Sequence, residues 1–355
     1  MKRTFTFAAM AAVGALGVMA TAPAAHACSG EDWKACKGKP WVDGDVMETP
    51  LGSKWWPHPL WGEGDQAGST NWYTKPEVIG RAMSAGAGTG KVYKIGHPYT
   101  ATMPLFGVRQ FSLRTPLPTG VTDGLGGNKI TWNDEYLATE IGQVGTQFDG
   151  LAHIGITMGA PGDLTQMRWY NGFTGADMSN AYGLKKLGPE HLHPIVARGI
   201  LIDVGAIWGK DMVAGDVIKM EHINKALDAQ GMGGFKFEDG DAIVIRTGWE
   251  QHWENPDVYN AGTPGIGMEV ARWIAGINAG VTVFDTWPGD AVPNPDPACA
   301  FCVHTYLQTR HGIVNQENAK LSELAADKVY QFTYMYSPAP IVGATGSMGA
   351  PVAIN

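Results

Sequence analysis

Three short apolar runs, separated by two amphipathic stretches, constrain the fold of this chain more than anything else in it. Gly199-Ile-Leu-Ile-Asp-Val204, Ala242-Ile-Val-Ile-Arg246 and Val281-Thr-Val-Phe284 are too short for helices and apolar at consecutive positions, as strands buried on both faces must be. Between them, Met220 to Gln230 carries Ile223, Ala226 and Leu227 on one stripe, and Met268 to Asn278 carries Val270, Trp273, Ile274 and Ile277. Strand, helix, strand, helix, strand in that order predicts right-handed crossovers and a partly parallel sheet. Upstream, Pro76 to Met83 reads as a helix with Thr74 as N-cap, and Lys91 to Tyr99 and Phe106 to Leu113 alternate as strands do. Downstream, Leu321 to Ala326 reads as a short helix before a strand from Val329 to Tyr336. No repeat or composition break divides the chain, so the expectation is one α/β domain over 76–355, with a mixed sheet and flanking helices. Residues 28–75, rich in Trp, Gly and Pro, read as an irregular arm packed by its aromatics.

Residues 143 to 153, Gln-Val-Gly-Thr-Gln-Phe-Asp-Gly-Leu-Ala-His, gather unusual polar chemistry. Gln143, Gln147, Asp149 and His153 all carry odd numbers, so in an extended segment they project from one face. Gly145, Thr146 and Gly150 between them let the backbone approach a bound ion or ligand closely. Taken singly, Asp149 would cap a turn and His153 would be satisfied by backbone. Together with two amides they need a shared partner, and a cation supplies one, as in a metal-dependent hydrolytic site.

Other candidates are less specific. Asp285 and Arg246 fall at the carboxyl ends of expected parallel strands, where ligand-contacting residues collect. Asp285 reads equally as a turn cap, and Arg246 either orients a substrate carboxylate or pairs with a neighbouring acid. His304 and Glu317 form no local motif, and His191, His193, His252 and His311 read as surface residues. Trp55, Trp61 and Trp287 are placed to wall a pocket for a cyclic or aromatic substrate. No Gly-x-Ser-x-Gly elbow occurs, and the glycine clusters at 124–127 and 231–234 lack the lysine of a phosphate loop.

The first 27 residues read as a secretory signal peptide: Lys2 and Arg3, an apolar run from Phe5 to Ala20, then Ala25-His26-Ala27 before Cys28. An exported protein, periplasmic or extracellular, is therefore expected, with lipidation of Cys28 as the rival. The formal net charge of −8 becomes −10 without Lys2 and Arg3, which argues against nucleic acid or an anionic membrane as partner. In an oxidising compartment Cys28 with Cys36, and Cys299 with Cys302, are most simply two local disulfides; Cys299-Ala-Phe-Cys302 otherwise reads as a redox pair or half a zinc site.

The chain resembles the cyclase-like metal-dependent hydrolases, the group that includes bacterial kynurenine formamidases and isatin hydrolases. Their signature His-x-Gly-Thr-His-x-Asp-x-Pro-x-His is matched in frame by Gln143-Val-Gly145-Thr146-Gln147-Phe-Asp149-Gly-Leu151-Ala-His153. Asp65 to Asn71, Arg198-Gly199, Asp241 to Trp249, Pro264-Gly265-Ile266 and Gly343 to Ser347 carry the likeness along the chain. The resemblance implies the swivelling β/β/α fold of that family, with a barrel-like core. It also implies metal at Gln143, Gln147, Asp149, His304 and Glu317, and proton transfer by His153. Two glutamines where the family has histidines favour an oxygen-tolerant ion, Mn²⁺ before Zn²⁺, and a site reduced from two metals to one. The expected activity is opening or cleavage of an amide, lactam, lactone or N-formyl bond in a small molecule, by a chain that associates as some family members do. The alternative is a non-catalytic exported relative that binds a small molecule or a metal.

Overall fold

The three apolar runs form adjacent parallel strands, as burial on both faces requires. The computed structural model describes residues 56–115, 124–157, 162–297 and 299–355. Residues 1–27, read above as a signal peptide, and Cys28, Cys36 and Trp55 lie outside the described residues. The main sheet contains β1 (Val92–Lys94), β2 (Gln147–Asp149), β3 (Ile195–Asp203), β4 (Ala242–Arg246), β5 (Val281–Phe284), β6 (Val314–Glu317), β7 (Gln331–Tyr336), β8 (Gly346–Met348) and β9 (Val352–Ile354). Their spatial order is β1-β9-β7-β3-β4-β5-β6-β2-β8. Pairing is parallel from β3 through β6 and antiparallel on either side, and the sheet curls into a half-barrel.

Each face of the parallel strands has its own core. Ile200, Ile202, Ile243 and Ile245 face α2 (Met220–Ala229) and α3 (Met268–Gly276), meeting Ile223, Ala226, Leu227, Val270 and Ile274. Leu201, Val244 and Val283 face the opposite way, into a core with Phe332, Tyr334 and Val78. Val78 and Ala82 are the buried side of α1 (Pro76–Ala85). That helix is N-capped by Lys75 without a side-chain bond, not by Thr74. Thr74 instead ends a 3-10 helix, Gly68–Thr74, so the described end of the arm is less irregular than its composition suggests. Asp65 organises this turn by accepting from Gly68 N at 2.9 Å and Asn71 Nδ2 at 2.8 Å.

Strand expectations upstream shorten in the same way. Of Lys91 to Tyr99 only Val92–Lys94 is strand, and Phe106 to Leu113 becomes Phe111–Arg114, paired with Tyr136–Thr139 outside the main sheet. Among the described residues no helix is long and apolar enough to cross a membrane.

Gly199 fixes the junction between the antiparallel and parallel halves. It pairs with Phe332 across β3 and β7, and a methyl group on Gly199 would fall 2.4 Å from a carbon of that ring. Gly199→Ala should therefore overpack the junction and lower stability by about 2 kcal/mol. Urea denaturation checks this; an unchanged midpoint would mean that the ring shifts aside freely.

Candidate metal centre

Strand periodicity builds half of the site. On β2 and β6, Asp149 lies opposite Asn315 and Gln147 opposite Glu317, so all four side chains share one face of the sheet. Asn315 Nδ2 donates to Glu317 Oε1 at 2.7 Å, and Gln147 Nε2 donates to Glu317 Oε2 at 2.7 Å. Phe148 points the other way, into the core.

Turns supply the rest, which corrects the expectation of one extended face from 143 to 153. Only Gln147–Asp149 is strand. Gly145 has φ +63 and packs against Tyr99, where a side chain would collide with the ring, so the chain turns before entering β2. This turn carries Gln143, whose Nε2 donates to Asp149 Oδ1 at 2.9 Å while Arg109 Nη2 donates to its Oε1 at 3.0 Å. After the strand, His153 N donates to Gly150 O at 3.0 Å, closing a turn that brings His153 Nε2 to 4.0 Å from Asp149 Oδ1.

His304 comes from a helix over Cys302–His304 that continues as a π-helix, Thr305–Arg310. Asp290 holds it from behind. Asp290 Oδ1 accepts from Val303 N at 2.9 Å, and Oδ2 lies 2.7 Å from His304 Nδ1. The opposite nitrogen, Nε2, is thereby aimed at the acids, 2.9 Å from Glu317 Oε1 and 3.6 Å from Asp149 Oδ2. A carboxylate behind a ligand histidine is the usual way such a ring is oriented.

Asp149, His304 and Glu317, all buried, offer ligand atoms within 4.8 Å of one another. Asp149 Oδ2 is buried without a hydrogen-bond partner. Burial pushes the Glu317 carboxyl up, Asp149 beside it adds to the effect, and the result is about 8. Burial also raises Asp149, but His153, His304 and Gln143 outweigh it and hold that carboxyl below its usual value. Burial lowers His304, yet its three acidic neighbours overcome this and hold the ring well above the ordinary histidine range. The group is thus short of positive charge, and an orphan oxygen faces its centre. Those residues fit a divalent cation.

Of the predicted site residues, Gln143, Gln147, Asp149, His153, His304 and Glu317 come together. The two glutamines enter as donors to the acids rather than with their amide oxygens aimed inward. Trp287 is close by: it stacks on Phe106 at 4.2 Å and meets Phe301 edge-on at 6.0 Å, and Phe301 in turn meets His304 at 5.9 Å. Trp61 packs elsewhere, against Trp72 and His58. His311 is a correction: it is buried between Tyr306 and His58, and burial drives its ring well below the usual histidine value. Asp290, Asn315, Arg109, Phe106 and Phe301 were missed. The period of two made Asn315 findable once Glu317 was placed; nothing in spacing points to Asp290.

Arg246 and Asp285 serve a different cluster. Arg246 pairs with Asp203 at 2.9 Å and approaches Glu250 at 3.5 Å. Asp285 accepts from Thr247 N at 2.9 Å, Thr247 Oγ1 at 2.8 Å and Gly248 N at 2.7 Å, clamping the turn after β4. Arg246 and Glu250 line a separate cavity of about 530 Å³ with His97, Trp253 and Lys320.

The sequence profile of the Cyclase family matches residues 93–291, more than half of the chain. The chain belongs to the cyclase family. Among solved structures it is similar to one described as a novel cyclase, with 28% identity, 83% of this chain and 96% of that one covered, and a TM-score of 0.70. Isatin hydrolase A from Ralstonia solanacearum shares the fold at 18% identity, covering 79% of this chain and 98% of its own, with a TM-score of 0.55. Isatin hydrolase A from Labrenzia aggregata does so at 15% identity, covering 77% and 97%, with a TM-score of 0.54. No curated protein sequence matches the chain.

The Arg246 cluster gives a pH prediction. Burial first, and Asp285 second, push Glu250 up from 4.5 to about 7. Between those values the folded protein holds a proton that the unfolded chain releases, so stability is full below pH 4.5 and falls as pH rises toward 7. Glu250→Gln should remove that loss, adding on the order of 2 kcal/mol at pH 8 and nothing at pH 4. Thermal unfolding at the two pH values checks it; equal effects at both would show that Glu250 does not titrate in this range.

Proposed function

We propose that this protein is an exported metal-dependent hydrolase that opens or cleaves an amide, lactam, lactone or N-formyl bond in a cyclic or aromatic small molecule. The observation that carries the reading is the convergence of Asp149, His304 and Glu317 on a point faced by the unpartnered Oδ2 of Asp149. Two carboxylates and one imidazole are an oxygen-rich set, which favours Mn²⁺ over Zn²⁺. When bound there, a divalent cation supplies Lewis acidity that polarises a carbonyl and eases deprotonation of water at neutral pH.

The chain's own residues do the remainder. Asp290 keeps His304 Nδ1 engaged so that Nε2 stays toward the centre. Gln147 and Asn315 fix both oxygens of Glu317, and Gln143, held by Arg109, fixes Asp149. His153 is the group free to move a proton. Burial, which outweighs the pull of Asp149, lowers its pKa and keeps the ring neutral, able to take a proton and pass it to a leaving nitrogen or oxygen. Phe106, Trp287 and Phe301 form an aromatic wall beside His304, which suits a flat ring and sheds water. The fold shared with isatin hydrolases supports a cyclic amide within this class. The N-terminal signal pattern supports export.

The test is hydrolysis of N-formyl amides, lactones and cyclic imides with added Mn²⁺ or Zn²⁺, with metal content measured in parallel. Asp149→Ala should lose both metal and turnover. His153→Ala should keep the metal and lower kcat by about 10²–10⁴. Equal rates in the parent and both variants would remove the mechanism.

A further inference from the structure

The segment that delivers His304 is tied to its surroundings through Asp290 and Val292 and is braced within itself by a disulfide. Between β5 and Cys302 the described residues contain no helix or strand, only isolated bridges at Asp290 and Val292. Asp290 is anchored to the sheet side of this segment and grips Val303 N and His304 Nδ1. Cys299–Cys302, joined across a separation of three residues, closes the turn that leads into the helix carrying His304, with Cys302 its first residue. Phe301, inside that ring, has φ 51 and ψ 47, a left-handed conformation that a phenylalanine rarely adopts. Its ring meets both His304 and Trp287. Opening the disulfide frees Phe301 to relax, and the first turn of the helix with it.

We propose that Cys299–Cys302 is a thiol-exchange site that controls the order of this segment, so that its reduction loosens His304 from Asp290 and weakens cation binding at the Asp149–His304–Glu317 centre. The cation half of this inference rests on the function proposed above. The co-reactant is a dithiol. One of its thiolates attacks a cysteine sulfur, the Cys299–Cys302 bond breaks and a mixed disulfide forms. Its second thiol then displaces the protein sulfur. Two protein thiols and one oxidised dithiol result, so two electrons and two protons pass to the protein. Both cysteines are buried but line a cleft of about 200 Å³ with Ile266, Met268, Ala291 and Pro295, the route by which a reductant would reach them. A ring this small removes little entropy from the unfolded chain, so the effect should be local rather than global.

The experiment uses the full protein, either oxidised or reduced with dithiothreitol and desalted under argon, alongside the Cys299→Ser/Cys302→Ser double variant. Hydrogen exchange of the metal-free protein reads the segment directly, because the Val303 amide is protected by Asp290. Reduction and the double variant should each speed exchange over 302–310 about tenfold and leave 195–203 unchanged. Mn²⁺ affinity, measured by chelator competition, should fall about tenfold in both. By linkage, Mn²⁺ should then lower the disulfide's reduction potential by about 30 mV. Unchanged exchange over 302–310, or acceleration throughout the molecule, would overturn the proposal. Faster local exchange with no Mn²⁺ or Zn²⁺ binding in either state would uphold the exchange site, overturn its coupling to a cation and count against the proposed function.

Discussion

Two carboxylates set side by side on adjacent buried strands repel each other, and the surroundings of Asp149 and Glu317 answer that repulsion. Burial in a low-dielectric interior makes the cost of a second uncompensated charge large, so burial and the neighbouring Asp149 push the Glu317 carboxyl up, while His153, His304 and Gln143 hold Asp149 below its usual value. His304 is the one positive partner, and it is itself shared with a third acid, Asp290. Three acids around one imidazole leave a deficit that hydrogen bonds from Gln143, Gln147 and Asn315 reduce but do not remove. Asp149 Oδ2 ends without a hydrogen bond, 3.6 Å from His304 Nε2, within the group of ligand atoms.

The sheet explains why these groups meet at all. Parallel strands gather their carboxyl ends on one edge, and the charged residues at the ends of β3, β4, β5 and β6 lie there together. Asp203 pairs with Arg246, Glu250 lies near the same guanidinium, and Asp285 bonds the backbone of the turn after β4. Glu317, at the end of β6, is paired instead with His304, and its next neighbour in the sheet is the antiparallel β2. That change of direction brings Gln147 and Asp149 opposite Glu317 and Asn315. The site thus occupies the boundary between the parallel strands and the antiparallel β2, at the opposite side of the parallel block from the β3–β7 junction.

The same physics decides what the amino-acid order could reveal. The central strands and α2 and α3 were legible because burial on two faces and on one stripe leave distinct apolar periods, and those periods survive in 199–204, 220–230, 242–246, 268–278 and 281–284. β6 was not legible: Asn315-Gln316-Glu317 carries no apolar period, since its polarity answers the site rather than the core. Asp149 and Gln147 were correctly placed on one face by strand alternation, while Gln143 and His153 reach the same place through turns that alternation does not describe. Asp285 and Asp290 show the limit most clearly. Both follow the same strand, and position alone favours Asp285 as the functional acid. Only the folded path of 285–304 shows Asp285 tied to Thr247 and Asp290 turned toward His304.

The glutamines at 143 and 147 follow from the same charge argument. An imidazole in either place would bring another nitrogen ligand, or another charge needing a counterion, into an already crowded cluster. An amide brings neither, and its N–H group can instead occupy a carboxylate lone pair, as Gln143 does on Asp149 and Gln147 on Glu317. On the proposed reading this removes the ligands for a first cation and strengthens the orientation of the acids that hold a second. One oxygen-rich position is then left, and His153 is the nearby titratable group not committed to holding it. On the same reading, a single cation and a neutral, half-buried histidine carry the hydrolysis between them. The aromatic wall of Phe106, Trp287 and Phe301 would then select which carbonyl reaches them.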